Sequence, residues 1–143
     1  MIFRLATIND AELLFQWRND PITRTQSIKQ DEITWPTHLK WFKDSLNNKF
    51  RKIYIAEIDS EPVGTLRFDF GEKDVELSWT VAPSHRGKGI GTVLLQEGTK
   101  LESGFCFIAR IKGSNSASIR MAEKAGFTFL KTEGDVSLFT KVV

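Results

Sequence analysis

The apolar positions of this chain change period several times, and each change marks an element. A short extended run over residues 2–8 comes first. Asn9 or Asp10 then caps a helix over residues 11–19, in which Leu13, Leu14 and Trp17 fall on one side and which Pro21 ends. A second helix begins near Thr34, with Pro36 in its first turn and Leu39, Phe42 and Leu46 at helical spacing. Three extended runs follow, over residues 52–58, 63–70 and 75–81. The turn signals Asp59-Ser60-Glu61-Pro62 and Gly71-Glu72-Lys73-Asp74 between them predict an antiparallel meander.

After Pro83 a glycine-rich loop leads into a helix over residues 90–103, one face of which is traced by Ile90, Val93, Leu94, Glu97 and Leu101. Gly98 lies inside it. A glycine there costs about 1 kcal/mol relative to alanine, which points to close packing against a neighbour. Gly104 closes the helix, and the nearly continuous apolar run over residues 105–111 has the pattern of a strand buried on both faces. Asn115 or Ser116 caps a short helix ending at Gly126, and residues 127–131 and 136–142 predict a hairpin around Glu133-Gly134-Asp135. The order describes a mixed sheet flanked by helices, a single α/β or α+β domain over residues 1–143.

Composition narrows the class. With 143 residues, 41% hydrophobic and 27% charged, the chain has the size and balance of one soluble domain. No apolar run approaches the roughly 18 residues of a membrane span, and the first residues lack the charged, apolar and small-residue order of a leader, so a cytoplasmic location is expected. One cysteine, Cys106, allows no disulfide within the chain, and beside only His38 and His85 it gives no zinc spacing, so no metal is expected. A net charge of +2 argues against retention on nucleic acid by charge alone. The charge is unevenly spread: residues 86–124 hold seven basic residues against Glu97, Glu102 and Glu123, which favours an anionic small ligand in that stretch.

The loop within that stretch, Arg86-Gly87-Lys88-Gly89-Ile90-Gly91, leaves a strand and opens a helix. Three glycines in five residues let main chain approach a ligand, and the free N–H groups at the helix start favour phosphate oxygens, with Arg86 and Lys88 adding positive charge. A bound pyrophosphate is the economical reading. Thr92 and Val93 after Gly91 exclude a nucleotide-hydrolase P-loop, and the loop's place after three meander strands excludes a dinucleotide fold.

These residues resemble the Gln/Arg-x-x-Gly-x-Gly/Ala signature of the GNAT superfamily of acetyl-CoA-dependent N-acetyltransferases. Asn115-Ser116-Ala117-Ser118 through Glu123-Lys124-Ala125-Gly126-Phe127 resembles that superfamily's second motif, in the right order and separation. The resemblance implies acetyl-CoA as cosubstrate, with the amides of Arg86, Gly87, Lys88, Gly89, Ile90 and Gly91 on its pyrophosphate. It implies a strand ending at Thr80 and Val81 beside the pantetheine, Asn115 and Ser118 across the cleft, and a main-chain N–H near Thr80 and Val81 as oxyanion donor. Asn115 serves equally as a helix cap.

Acetyl transfer from a thioester needs an uncharged amine and a route for its proton. Glu76 is the candidate base, directly or through water, and Ser78 shares its face by strand alternation; Glu76 also reads as a solvated strand-edge carboxylate. The tyrosine that many superfamily members place in the second-motif helix is replaced here by Ala122. A thiol leaves as thiolate without it, which fits direct transfer in a ternary complex, and Cys106 is not read as an acylated intermediate.

The acceptor side falls to the N-terminal helices. Trp17-Arg18-Asn19 and His38-x-x-Trp41-Phe42 are similar to features of acetyltransferases acting on nucleotide-linked 4-amino-deoxysugars of the pseudaminic-acid type. Arg18 and Arg24 suit the phosphates of such a sugar nucleotide, Trp41 its base or sugar ring, and Asn19 or His38 its hydroxyls. Trp17 also fits as core and His38 as a surface residue rather than a base. The expected partner is a small-molecule amine, with the protein a monomer or homodimer. Acetylation of a protein N-terminus, ribosomal-protein-like, and a non-catalytic CoA-binding module are the rival readings.

Overall fold

The computed structural model describes residues 1–29 and 31–143. Seven strands form one sheet: β1 (Ile2–Leu5), β2 (Arg51–Ile58), β3 (Glu61–Phe70), β4 (Asp74–Val81), β5 (Cys106–Lys112), β6 (Thr128–Glu133) and β7 (Val136–Val142). Their order is β1-β2-β3-β4-β5-β7-β6. Among the described residues only the central β4–β5 pair is parallel. A parallel neighbour cannot be reached by a tight turn, so the chain crosses over through α4 (Ile90–Gly98). The remaining helices are α1 (Ala11–Asn19), α2 (Pro21–Gln26), α3 (Trp35–Leu46) and α5 (Ser116–Lys124).

Strand alternation gives the sheet two apolar faces, each covered by its own helices. One core joins Val75 and Leu77 of β4 to Leu94 and Leu95 of α4, Phe107 and Ala109 of β5, and Ala122 of α5. The second joins Ile53 and Ile55 of β2 to Leu14 and Trp17 of α1 and Phe42 of α3. Gly98 is packed as expected, since a Cβ on it would lie 2.1 Å from Cδ2 of Leu66. No described helix is long and apolar enough to cross a membrane.

Four expectations change. Pro21 opens a helix instead of only ending one: Asp20 accepts a 3.1 Å hydrogen bond from the Thr23 N–H, and proline occupies the first turn, where its missing N–H costs nothing. Helix α4 stops at Gly98, short of residue 103, and buries Ile90, Gly91, Leu94, Leu95 and Gly98 while Val93 and Leu101 face outward. β5 is buried on one face only, because Arg110 interrupts the apolar run and turns toward carboxylates. The first strand ends at Leu5, and a turn of 3-10 helix over Ile8–Asp10 follows.

Candidate active site

The sheet opens at its centre. β4 and β5 pair at only three positions, Asp74 with Cys106, Val75 with Phe107 and Glu76 with Ile108. Beyond Glu76 the strands part, so Ser78 to Val81 run along one wall of a cleft and Arg110 to Lys112 along the other. The cleft has a volume of about 850 Å³ and reaches from the α4 loop to helix α1. Main chain freed from a ladder in this way is available to a ligand.

The loop before α4 forms one end. Gly87 and Gly89 both have φ of 75°, in the left-handed region, and a Cβ at either would meet nothing within 4 Å. Gly89 is the N-cap of α4 and no side chain caps the helix, which leaves the first N–H groups aimed outward for an anion. These features fit the diphosphate of acetyl-CoA. The Arg86 side chain has another role: its guanidinium binds Asp20 and Thr23, tying the loop to α2. Burial acts to raise the Asp20 pKa, but the bonds from Arg86 and Thr23 outweigh it and hold the carboxyl below its ordinary range. Across the cleft Asn115 caps α5, accepting from the Ser118 N–H at 3.2 Å and donating to Ser118 Oγ at 2.9 Å. Its cap role is therefore real, and both residues also line the cleft.

The other end is built on the sheet face under α1 and α3. Cross-strand register sets Arg51, Asp69 and Glu76 in one row, then Ile53, Arg67 and Ser78 in the next. Asp69 pairs with both Arg51 and Arg67, and Arg67 reaches Ser78 Oγ at 3.4 Å. Trp41 lies over this row with the guanidiniums of Arg18, Arg51 and Arg67 at 4.3, 5.7 and 5.8 Å from its ring centre. Burial, with Arg67 close by, lowers the Arg18 pKa from its ordinary value.

A loop shaped for a diphosphate thus faces a pocket walled by tryptophan and arginine, with a free strand edge between them. The profile of the Acetyltransferase (GNAT) domain matches residues 1–128. The chain belongs to the GNAT acetyltransferase family. It is 30% identical over 138 residues to "Putative phosphinothricin acetyltransferase YwnH" of Bacillus subtilis (strain 168), covering 89% of this chain and 83% of that protein. Among solved structures, aminoglycoside acetyltransferase AAC(6')-Ib in complex with coenzyme A and kanamycin superposes with a TM-score of 0.82, at 21% identity over 98% of this chain and 93% of that one. The ribosomal-protein-alanine N-acetyltransferase from Brucella melitensis gives 0.79, at 23% identity over 100% of both chains.

This GNAT enzyme is an acetyl-CoA-dependent N-acetyltransferase, and acetyl-CoA is its cosubstrate. Of the residues expected at its cofactor end, Thr80, Val81, Arg86, Gly87, Gly89, Ile90 and Gly91 line the cleft. Lys88 does not; it is exposed between two left-handed glycines. On the acceptor side Arg18 and Trp41 line the cleft, and Trp17 does so from within the core.

Three expected acceptor residues are placed differently. Asn19 spends its amide on a two-way clasp with the main chain of Ile33, donating at 2.7 Å and accepting at 2.9 Å. Arg24 is off the cleft wall and faces Glu32 at 4.0 Å, because the turn of α2 gives Thr23 and Gln26 the inward positions. His38 is fully buried, not at the surface, and neither ring nitrogen is left for a sugar hydroxyl: Nε2 lies 2.8 Å from the Ala11 carbonyl and Nδ1 3.0 Å from Arg18.

Glu76 stands at the last paired rung, outside the lining residues, with its carboxylate 3.0 Å from Arg110, whereas Ser78 lines the cleft. Arg67, Arg110 and Lys112 also line it; the sequence reading counted Arg110 and Lys112 only within the basic stretch and passed over Arg67. For Arg110 the signal was present, as the lone charge in an apolar run. Ala122 is fully buried in the core of this acetyltransferase, so its position offers no acid. Cys106 is half-buried beside Thr140 Oγ1 at 3.2 Å and is off the cleft wall. Cys106→Ala is expected to keep steady-state turnover within about twofold; a folded but inactive variant would require a covalent route.

Proposed function

We propose that this acetyltransferase modifies the 4-amino group of a nucleotide-linked amino-deoxysugar by direct attack in a ternary complex. The observation that carries the reading is the acceptor end of the cleft, where Trp41 offers a flat ring and Arg18 and Arg67 offer positive charge. An aromatic face suits a base or sugar ring, and guanidinium groups suit phosphate oxygens. A polycationic acceptor would meet like charge there. Acetyl-CoA supplies the activated thioester carbonyl.

The enzyme's own residues then position the amine and take its proton. Ser78, held by Arg67, is the polar group on the wall two residues from Glu76 and on the same face. A water on Ser78 would carry the amine proton to Glu76, whose carboxylate is held by Arg110. The free edge of β4 at Thr80 and Val81 would supply the N–H for the developing oxyanion.

A thiol-release assay with acetyl-CoA and three acceptors tests the reading: a UDP-4-amino-deoxysugar, an alanine-terminated peptide and spermidine. Turnover on the sugar nucleotide is expected to exceed that on the others by at least about tenfold in kcat/KM. Turnover on the peptide alone would overturn the sugar assignment, and acetyl-CoA binding without any acceptor would indicate a binding module.

A further inference from the structure

The pocket wall contains a charge that the protein does not neutralise. Three guanidiniums surround Trp41, and one carboxylate, Asp69, serves two of them, Arg51 and Arg67. Arg18 has no carboxylate within ion-pair distance among the described residues. Its contacts are the ring face of Trp41 and Nδ1 of His38, a neutral acceptor. It is half-buried and lines the cleft.

The support behind Arg18 holds it in place without discharging it. The Ala11 carbonyl can only accept, so His38 Nε2 carries the proton and donates at 2.8 Å. Nδ1 is then bare and accepts from Arg18 at 3.0 Å. His38 in turn stacks on Phe42, whose ring centre is 6.0 Å away. A guanidinium fixed on one edge by a neutral imidazole and on one face by an indole keeps its remaining N–H groups for a ligand. In a partly desolvated site those donors call for an anion.

We propose that Arg18 receives a carboxylate or phosphate carried by the acceptor itself, so that the enzyme selects anionic amines over neutral and polycationic ones. The inference rests on the N-acetyltransferase reading and deepens it by setting the acceptor's charge, while leaving open whether a nucleotide bears that charge. Arg67, next along the same wall, adds to the field without being free of Asp69.

Matched acceptors test it: an α-amino acid and its methyl ester, which differ in one negative charge, together with the UDP-amino-sugar and spermidine. In the wild-type enzyme the charged member of the pair is expected to lead its ester by about tenfold or more in kcat/KM. Arg18→Met should erase that preference through KM while leaving the acetyl-CoA KM close to wild type, with a lower Tm because the buried His38 Nδ1 loses its donor, and Arg18→Lys should restore part of the preference. Inorganic phosphate and acetate, titrated calorimetrically into the CoA-loaded protein, should bind the wild type and fail to bind Arg18→Met; the tighter of the two identifies the anion's source. A preference unchanged in Arg18→Met, or no binding of either anion to the wild-type complex, would overturn the inference. If an amino acid is acetylated and the sugar nucleotide is not, the anion site stands and the sugar assignment falls. Should no amine be acetylated, the calorimetry still decides the anion site independently.

Discussion

Gly89→Val is expected to raise the KM for acetyl-CoA by at least about tenfold while costing the fold only about 1–2 kcal/mol, the usual penalty of a left-handed conformation for a residue with a Cβ. Gly89 has φ of 75° and stands at the N-cap of α4. A Cβ there would meet no protein atom within 4 Å, so the fold has room for it. In the proposed binding mode the diphosphate would approach the helix start through that open space, and a branched side chain would keep the phosphate oxygens from the N–H groups. Gly64 supplies the contrast, because a Cβ on it would lie 2.8 Å from the Thr80 carbonyl, an obstacle made of main chain. Initial-rate kinetics at varied acetyl-CoA, with thermal denaturation alongside, separate the two effects. An unchanged KM in folded Gly89→Val would place the cosubstrate elsewhere.

The contrast also explains which parts of the site were legible in the sequence. Glycines clustered between a strand and a helix carry their own local reason, since neighbouring residues settle both the φ values and the free helix N–H groups. The central split of the sheet has no local cause. It depends on β4 and β5 pairing at three rungs and then parting, a long-range register that neither strand's apolar pattern contains.

The acceptor side was misread for a related reason. On α3 the expected stripe was Leu39, Phe42 and Leu46, while the buried stripe is His38, Phe42 and Ser45, rotated around the same axis. A histidine and a serine can occupy a core when partners across the fold satisfy them, and those partners, the Ala11 carbonyl for His38 and Arg51 for Ser45, lie on other elements. Asn19 was seen as a polar group at a helix end, and its clasp on Ile33 depends on a loop fourteen residues away. The Asp20-Pro21 cap that opens α2 was local and readable, but Pro21 also ends α1, and the terminating role was the one inferred.

His38 gives the second large effect. Burial is the main cause that holds its pKa below the ordinary 6.5; the hydrogen bond to the Ala11 carbonyl opposes the shift, and the Arg18 charge adds to it. In the unfolded chain the imidazole titrates near 6.5, so below that pH the unfolded state binds the extra proton and the folded state does not. Stability is then full above about pH 6.5 and falls as the pH drops, by up to about 1.4 kcal/mol per pH unit until the folded-state pKa is reached. The carboxyls of Asp10 and Asp20 are shifted the other way, below their ordinary 3.8, and lose their contribution in a separate, more acidic window. His38→Leu should cost about 1–3 kcal/mol at neutral pH, because it removes the buried second hydrogen bond to the Ala11 carbonyl and the imidazole that holds the Arg18 charge. It should also flatten the dependence between pH 5 and 6.5, the interval in which the unfolded His38 gains its proton. Urea denaturation at half-unit pH steps measures both. A His38→Leu curve parallel to the wild-type curve across that interval would show that the imidazole is not held neutral in the fold, and with it the bare Nδ1 that supports Arg18 would be lost.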